Sequence, residues 1–187
     1  MYKAALVLAA TPLVGLAACS GGDDPRSDAE LPAGVVDQYA TLKAEVGDRG
    51  GQTSSGDWNV AYIVEAAEPW FESHEGHTRF RKPTSVETHH IEIIPTEKAS
   101  GRIIPDVPIT VEVIDTGGKV VDKKTLNFYY STFFHYANNF SIPADGEYAL
   151  RATLGSPTFL RHGEENEEPA LDEGATVTFE SVELTKD

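Results

Sequence analysis

The chain contains 187 residues, with 15 Lys and Arg against 30 Asp and Glu, and its formal net charge is −15 at pH 7. This balance argues against nucleic acid as a partner, because that affinity depends on basic side chains that neutralise phosphates, and it favours cations. The single Cys excludes a disulfide framework and any metal site built from several thiolates. A metal site here would need His, carboxylate, Tyr or backbone ligands.

The N-terminus has the layout of a secretory signal. Lys3 precedes apolar segments that end at Leu16-Ala17-Ala18-Cys19, and the whole run is too short to span a bilayer. The small residues before Cys19, with Leu16 three positions ahead of it, resemble the lipobox of bacterial lipoproteins. We therefore predict a signal peptide over residues 1–18 and lipidation of Cys19, which would anchor the protein outside the cytoplasm, in the periplasm or at the cell surface. The alternative, a buried core Cys, is disfavoured by the polar stretch that follows.

Residues 19–55 are predicted to form a tether. The stretch from Ser20 to Gly34 is small, charged and contains Pro, which is typical of a linker. Apolar residues then fall on one helical face, so a short helix is predicted over 35–46, closed by Gly47. A second polar stretch over 47–57 places the boundary of the main domain near Gly56, so that the domain covers 56–187.

After Asp57 the apolar pattern changes to a period of two. Strands are predicted over 59–64, 86–94, 107–114, 148–154 and 176–184. Gly-Gly turn chemistry at 115–119 predicts a hairpin whose second strand returns to Tyr130, and a loss of phase near Glu180 and Ser181 predicts a β-bulge. About seven short strands without a long helix predict an all-β fold, an antiparallel immunoglobulin-like β-sandwich.

The sequence contains no nucleophile elbow, no phosphate-binding glycine loop and no His-Glu-x-x-His pair, so we expect a protein that is not an enzyme. The remaining chemical signal is six histidines: His74, His77, His89, His90, His135 and His162. His74 and His77 flank Glu75-Gly76 in a stretch typical of a flexible loop, which makes them a weaker metal site.

His90 and Glu92 lie on the same face of their predicted strand, whereas His89 lies on the opposite, apolar face. An imidazole and a carboxylate two residues apart can share a divalent ion of copper, iron or zinc. The alternative is a solvated His beside a surface Glu on a half-exposed strand. His89 is expected to be packed in the interior.

Two further histidines are candidate ligands. His135 follows the aromatic stretch 128–134, and it is either a ligand or part of core packing at a strand end. His162 precedes a loop with six acidic residues between Glu164 and Glu173. That loop is either an acidic approach for cations beside a His ligand or a solvated surface segment.

The motif order from about Trp58 onward is His90-x-Glu92, a Gly-turn hairpin, His135-Tyr136, Asp145-Gly146-Glu147-Tyr148, and His162 in a late loop. It resembles the iron-transport-associated periplasmic proteins and surface lipoproteins that accompany high-affinity iron permeases in bacteria. The resemblance implies an immunoglobulin-like sandwich, often a homodimer, that binds copper through His, Glu and Met ligands, with iron at or beside the same place. On this chain it implies the metal ligands His90, Glu92, His135 and His162, and an iron permease in the membrane as partner.

One departure from that family concerns the Met ligand, which should fall near Phe128, where this chain has no sulfur. A site of His and carboxylate alone is harder and suits copper(II), iron, zinc or manganese. Tyr129, Tyr130 and Tyr136 are then the alternative ligands for ferric iron. Because binding needs neutral imidazoles and an ionised carboxylate, we expect affinity to weaken as pH falls toward the ordinary His pKa of about 6.5.

The sequence leaves two other classes of function open. One is a surface adhesion or assembly module whose histidines are scattered, and convergence of three histidines within about 5 Å would argue against it. The other is a copper or iron oxidase, for which the sequence shows neither a substrate pocket nor a second redox group.

Overall fold

A computed structural model describes residues 31–186 of the chain. The predicted signal peptide, Cys19 and the tether up to Glu30 lie outside the described residues, so those interpretations stay predictions. The described part contains one helix, α1 (Ala33–Arg49), and eleven strands: β1 (Gly50–Ser55), β2 (Trp58–Ala66), β3 (Trp70–His74), β4 (His77–Arg81), β5 (His89–Glu97), β6 (Ile109–Asp115), β7 (Val120–Thr125), β8 (Asn127–Tyr130), β9 (Phe134–Phe140), β10 (Gly146–Leu154) and β11 (Ala175–Leu184). None of these described residues forms a helix with the length and apolar character needed to cross a membrane.

Two antiparallel sheets pack face to face, which confirms the predicted β-sandwich. One sheet has the strand order β1-β2-β5-β9-β8 and the other has the order β11-β10-β6-β7. Alternate residues of each sheet point inward, and they include Ile91 and Ile93 on β5, Val111 and Val113 on β6, and Leu150 on β10, all fully buried. Burial of these apolar side chains away from water stabilises the two-layer arrangement.

The last strand contains the predicted bulge. The pairing of β10 with β11 shifts register between Tyr148 and Leu150, whose partners are Val182 and Phe179. Ser181 has a φ angle of 56°, a left-handed conformation that accommodates the one extra residue on β11. This shift lets the apolar residues on both sides of it face the core.

The hairpin at 115–119 is also confirmed, but its second strand ends earlier than predicted. Asp115 Oδ1 accepts hydrogen bonds from the backbone N–H groups of Gly117 and Lys119, which fixes the turn. The chain leaves β7 at Thr125, passes through buried Leu126 and enters β8 in the other sheet. The prediction of one strand up to Tyr130 is therefore wrong, because the apolar pattern does not show the change of sheet.

The helix is longer than the predicted segment 35–46, and the polar stretch after it is structured. Strand β1 occupies most of that stretch and pairs with β2 along its whole length, from Gly50 opposite Ile63 to Ser55 opposite Trp58. The expected boundary near Gly56 thus falls in the turn between two paired strands. Residues from Pro32 onward form one unit.

The outer face of the five-stranded sheet is covered, and this cover creates the environment of the candidate site. Leu42 of α1 packs against Ile63 of β2, Ile94 of β5 and Phe133, forming a second, smaller apolar cluster. The β3–β4 hairpin forms a separate two-stranded sheet, where the sequence predicted a loop. Strand β5 is consequently buried on both faces.

Candidate metal centre

Three of the four predicted ligands meet on the outer face of the five-stranded sheet. His90 and Glu92 lie two residues apart on β5, and His135 lies at the start of the neighbouring strand β9. Ligand atoms from the three side chains all lie within 4.8 Å of one another, and all three residues are buried. The group thus contains two histidines and a carboxylate rather than three histidines.

Asn139 orients the first histidine. Its side-chain amide donates from Nδ2 to the carbonyl of Glu68 at 2.8 Å and accepts at Oδ1 from the backbone N–H of Glu68 at 3.1 Å, which defines which end is oxygen. That oxygen lies 2.8 Å from His90 Nδ1. Because Oδ1 can only accept, His90 carries its proton on Nδ1 and leaves the Nε2 lone pair for a cation.

The second histidine has the same tautomer. The carbonyl oxygen of Phe133 lies 3.3 Å from His135 Nδ1, so this nitrogen is the donor. His135 Nε2 faces the carboxyl group of Glu92, with 3.6 Å between Nε2 and Oε1. Both imidazoles therefore present an Nε2 acceptor, the form in which His binds a metal ion.

Burial shifts the pKa values of all three groups toward their neutral forms. Desolvation lowers the pKa of His135 to about 4 and also lowers the pKa of His90. Desolvation, followed by the negative charges of Glu65 and neighbouring carboxylates, raises the pKa of Glu92 to about 8. At neutral pH the contact between His135 and Glu92 is therefore not an ion pair. Metal binding at this pH requires Glu92 to lose a proton, so ionisation of Glu92 adds to the pH dependence expected from the imidazoles.

One buried oxygen in this group lacks a partner. Among the described residues, Glu92 Oε2 has no hydrogen-bond donor, although its side chain is only 7% exposed. A buried polar atom without a partner costs free energy, and a cation at this position would satisfy it. Two neutral imidazoles and one carboxylate form a donor set that suits borderline divalent ions, so the residues fit a transition metal.

The three side chains open into a cavity of about 810 Å³ with an acidic mouth. Glu45 of α1, Glu65 of β2 and Glu68 line it, and Glu65 is the register partner of His90. Arg49 forms an ion pair with Glu65 and partly offsets the negative charge of this cluster. Burial and mutual repulsion raise the pKa values of Glu45 and Glu68. The negative potential at the mouth attracts cations toward the buried ligands.

Aromatic rings close one side of the centre. Tyr129 stacks on His135 with ring centroids 5.4 Å apart and planes at 1°, and Trp70 at the base of the β3–β4 hairpin lies 6.4 Å from the His90 ring. Tyr129 thus presents its ring face, rather than its hydroxyl, to His135. Tyr136 cannot replace the missing Met, because its hydroxyl is in the core, donating to Ile104 and accepting from Val107.

Phe128 and Tyr130 lie on the face of β8 that points away from His135, because Tyr129 between them occupies the other face. Phe128 stacks on Phe134 at 5.3 Å, and Tyr130 is 83% exposed. The position where the resemblance places a sulfur ligand is therefore part of an aromatic cluster at the sheet edge.

The fourth predicted ligand, His162, is not part of this group. It is exposed in the segment between β10 and β11, where Arg161 Nε donates to the carbonyl of Ala170 at 2.7 Å. That segment is attached to the sheet where Trp58 Nε1 donates to the carbonyl of Glu173 at 3.0 Å. Trp58 pairs with the last residue of β5, whereas His90 lies near the first, at the other end of the strand.

His89 is buried, as predicted from its place on the apolar face, and its Nε2 lies 3.1 Å from the carbonyl oxygen of Thr185. Asn139, Glu65 and Glu68 are functional candidates that the sequence reasoning missed. Strand alternation could have found Asn139, since it lies four residues after His135 and therefore on the same face.

Comparison with solved structures identifies proteins of the same fold class, a two-sheet antiparallel sandwich. The chain is similar to a copper-bound variant of P19 from Campylobacter jejuni, with a TM-score of 0.58, 18% identity, and coverage of 74% of this chain and 96% of that chain. It is also similar to FetP of uropathogenic Escherichia coli strain F11, as isolated, with a TM-score of 0.53, 17% identity, and coverage of 73% and 96%. A copper-bound FetP variant gives a TM-score of 0.57 at 14% identity, with coverage of 73% and 90%. No protein-family model and no curated protein matches the chain.

Proposed function

We propose that this chain is an extracytoplasmic, lipid-anchored protein that binds a transition metal and assists high-affinity iron uptake by a partner permease in the membrane. The buried group of His90, Glu92 and His135, with ligand atoms within 4.8 Å of one another, is the observation that carries the metal-binding part. Copper or iron is the proposed ion, with zinc and manganese as alternatives. The shared fold with copper-bound P19 and FetP supports copper.

The chain's own residues perform three tasks in this proposal. The carboxylates at the mouth draw the cation in, the two oriented imidazoles supply neutral nitrogen donors, and Glu92 supplies one negative charge after losing its proton. Asn139 and the carbonyl of Phe133 hold the imidazole tautomers, so neither ring has to rotate or move its proton when the ion arrives. The ion is cargo in this function and undergoes no reaction that the residues must catalyse.

Two histidines meet rather than the three required above, so the case against the adhesion or assembly module rests on the buried carboxylate of Glu92 that joins them. In that class the histidines have no reason to meet in a buried pocket, because burial of unpaired polar groups is unfavourable. Here Glu92 Oε2 is buried without a donor beside two buried histidines, on a face separate from the main core.

Metal titration of the purified full chain tests the site. We expect copper(II), zinc or iron(II) to bind the wild type, and His90→Ala or His135→Ala to lower affinity. His162→Ala is the matched control and should leave affinity unchanged, since His162 lies outside the buried group. If neither core substitution lowers the affinity for copper, iron, zinc or manganese, the site assignment is wrong.

The anchor and the transport role need separate tests. Labelling with radioactive palmitate should mark the wild type and leave the Cys19→Ala variant unmarked. Iron accumulation by iron-starved cells should fall when the chain is replaced by His135→Ala, but not when it is replaced by His162→Ala. Equal accumulation in both strains would remove the support for a role in uptake.

A further inference from the structure

The tip of the β3–β4 hairpin carries two histidines that the buried centre does not use. His74 and His77 are register partners across a turn formed by Glu75 and Gly76, and both are exposed. The φ angles of Glu75 and Gly76 are 50° and 79°, the two successive positive values of a type I′ turn. A two-residue turn fixes strand register, so the two imidazoles start from directly opposed positions.

Further pairs hold the hairpin in this register. Arg79 Nε donates to Glu72 Oε1 at 2.9 Å on the face that carries His74 and His77. A cross-strand pair of phenylalanines on the opposite face adds a ring contact, with centroids 4.9 Å apart. The two histidines are therefore presented by a paired hairpin, not by the flexible loop that the sequence predicted.

We propose that His74 and His77 form a second, exposed metal site whose preferred ion is Cu(II). Opposed residues of an antiparallel pair have Cβ atoms about 4.5–5.5 Å apart, so two imidazoles can converge on one ion. Imidazole is a good ligand for Cu(II), Ni(II) and Zn(II), and Cu(II) binds most tightly of the divalent first-row ions. With two protein ligands, the other coordination positions are open to water. The net charge of the chain favours the approach of the cation.

This site is distinct from the buried centre. Trp70, at the base of the hairpin, contacts His90, whereas His74 lies four residues further along β3. Four strand residues extend about 13 Å, too far for one ion to use ligands of both groups. The proposal goes beyond the proposed function and does not depend on it, because removal of the buried ligands leaves the hairpin pair in place.

Copper(II) titration of the full chain carrying His90→Ala and His135→Ala tests the proposal. In this background we expect one equivalent of Cu(II) to bind, with an electron paramagnetic resonance spectrum that shows two nitrogen donors. Adding His74→Ala or His77→Ala should lower the affinity by about a hundredfold, because a chelating pair becomes a single ligand. Adding His162→Ala, which removes another exposed loop His, should change neither affinity nor spectrum.

Lack of saturable Cu(II) binding in the background protein would overturn the proposal, as would binding that survives His74→Ala. Loss of the site on His162→Ala would overturn the assignment to the hairpin pair. A measurement on the wild type needs no folding control: Cu(II) should protect His74 and His77 from carbethoxylation, followed by peptide mass spectrometry. Equal modification with and without Cu(II) would contradict the proposal.

Discussion

Replacing Glu92 by Gln should make the free energy of unfolding of the metal-free protein fall less as pH rises. The Glu92 side chain is nearly completely buried, Oε2 has no donor, and burial with neighbouring carboxylates raises the pKa of Glu92 from 4.5 to about 8. A raised folded-state pKa means that the protonated carboxyl group stabilises the fold below pH 4.5, and that this stabilisation is lost as pH rises through about 8. Gln keeps the shape of the protonated carboxyl group and does not titrate.

The informative window is pH 6.5 to 8, above the depressed pKa values of His90 and His135. Over this window the folded protein must give up a proton that the unfolded chain has already lost, which costs ~1.5 kcal/mol of unfolding free energy for a shift of this size. We therefore expect the free energy of unfolding of Glu92→Gln to rise relative to wild type by about 1.5 kcal/mol between the two pH values.

Urea unfolding of the full chain in chelator at pH 6.5 and 8.0 measures this difference. Glu112→Gln is the matched control, because hydrogen bonds from Arg151 and Lys123 lower the pKa of Glu112 and it does not titrate in the window. The control should parallel the wild type. If Glu92→Gln also parallels the wild type, the carboxyl group ionises without cost and the argument for a site built in its neutral form is refuted.

Three further predictions concern the site and its support. Zinc binding at pH 7 should release about one proton, from Glu92, so binding heats should differ between buffers of different ionisation enthalpy; identical heats would contradict this. Asn139→Ala should lower metal affinity by about 10–100-fold, because the tautomer of the neighbouring imidazole is no longer held, and titration of the variant against wild type measures it. Gly50→Ala should destabilise the fold by about 1–3 kcal/mol, because its Cβ would lie 1.9 Å from a carbonyl oxygen of β2. Gly47→Ala is the control, because no atom lies within 4 Å of the added Cβ. Thermal unfolding should show that this variant is at least as stable as the wild type.

The sequence predicted what depends on local alternation. His90 and Glu92 share a face because neighbours two apart always do in a strand, and the bulge at Ser181 follows from a visible loss of phase. The approach of His135 depends on the pairing of β5 with β9, and no residue within either strand specifies that partner. Register between distant strands is set by the whole core, so the residues alone left His135 open between a ligand and core packing, and only the family resemblance grouped it with His90 and Glu92.

Burial of the candidate ligands was the least predictable property. The pattern from His89 to Glu97 contains several polar residues and is typical of a half-exposed strand, yet most of β5 is buried on both faces. The cover comes from α1 and from the β3–β4 hairpin, whose polar sequence contains little apolar alternation. Cover supplied by other parts of the chain leaves no signal in the strand that it buries.

The division of the interior into two apolar clusters separates the ligands from the residues that hold the sheets together. His90, Glu92 and His135 lie on the face opposite to the cluster between the sheets, against the aromatic rings of Tyr129 and Trp70 and the small cluster under α1. Substitutions at the centre can therefore change the donor set while the sandwich keeps its packing. The fold offers a scaffold on which metal preference can be redesigned, for example by placing a thioether opposite His135, with little loss of folding stability.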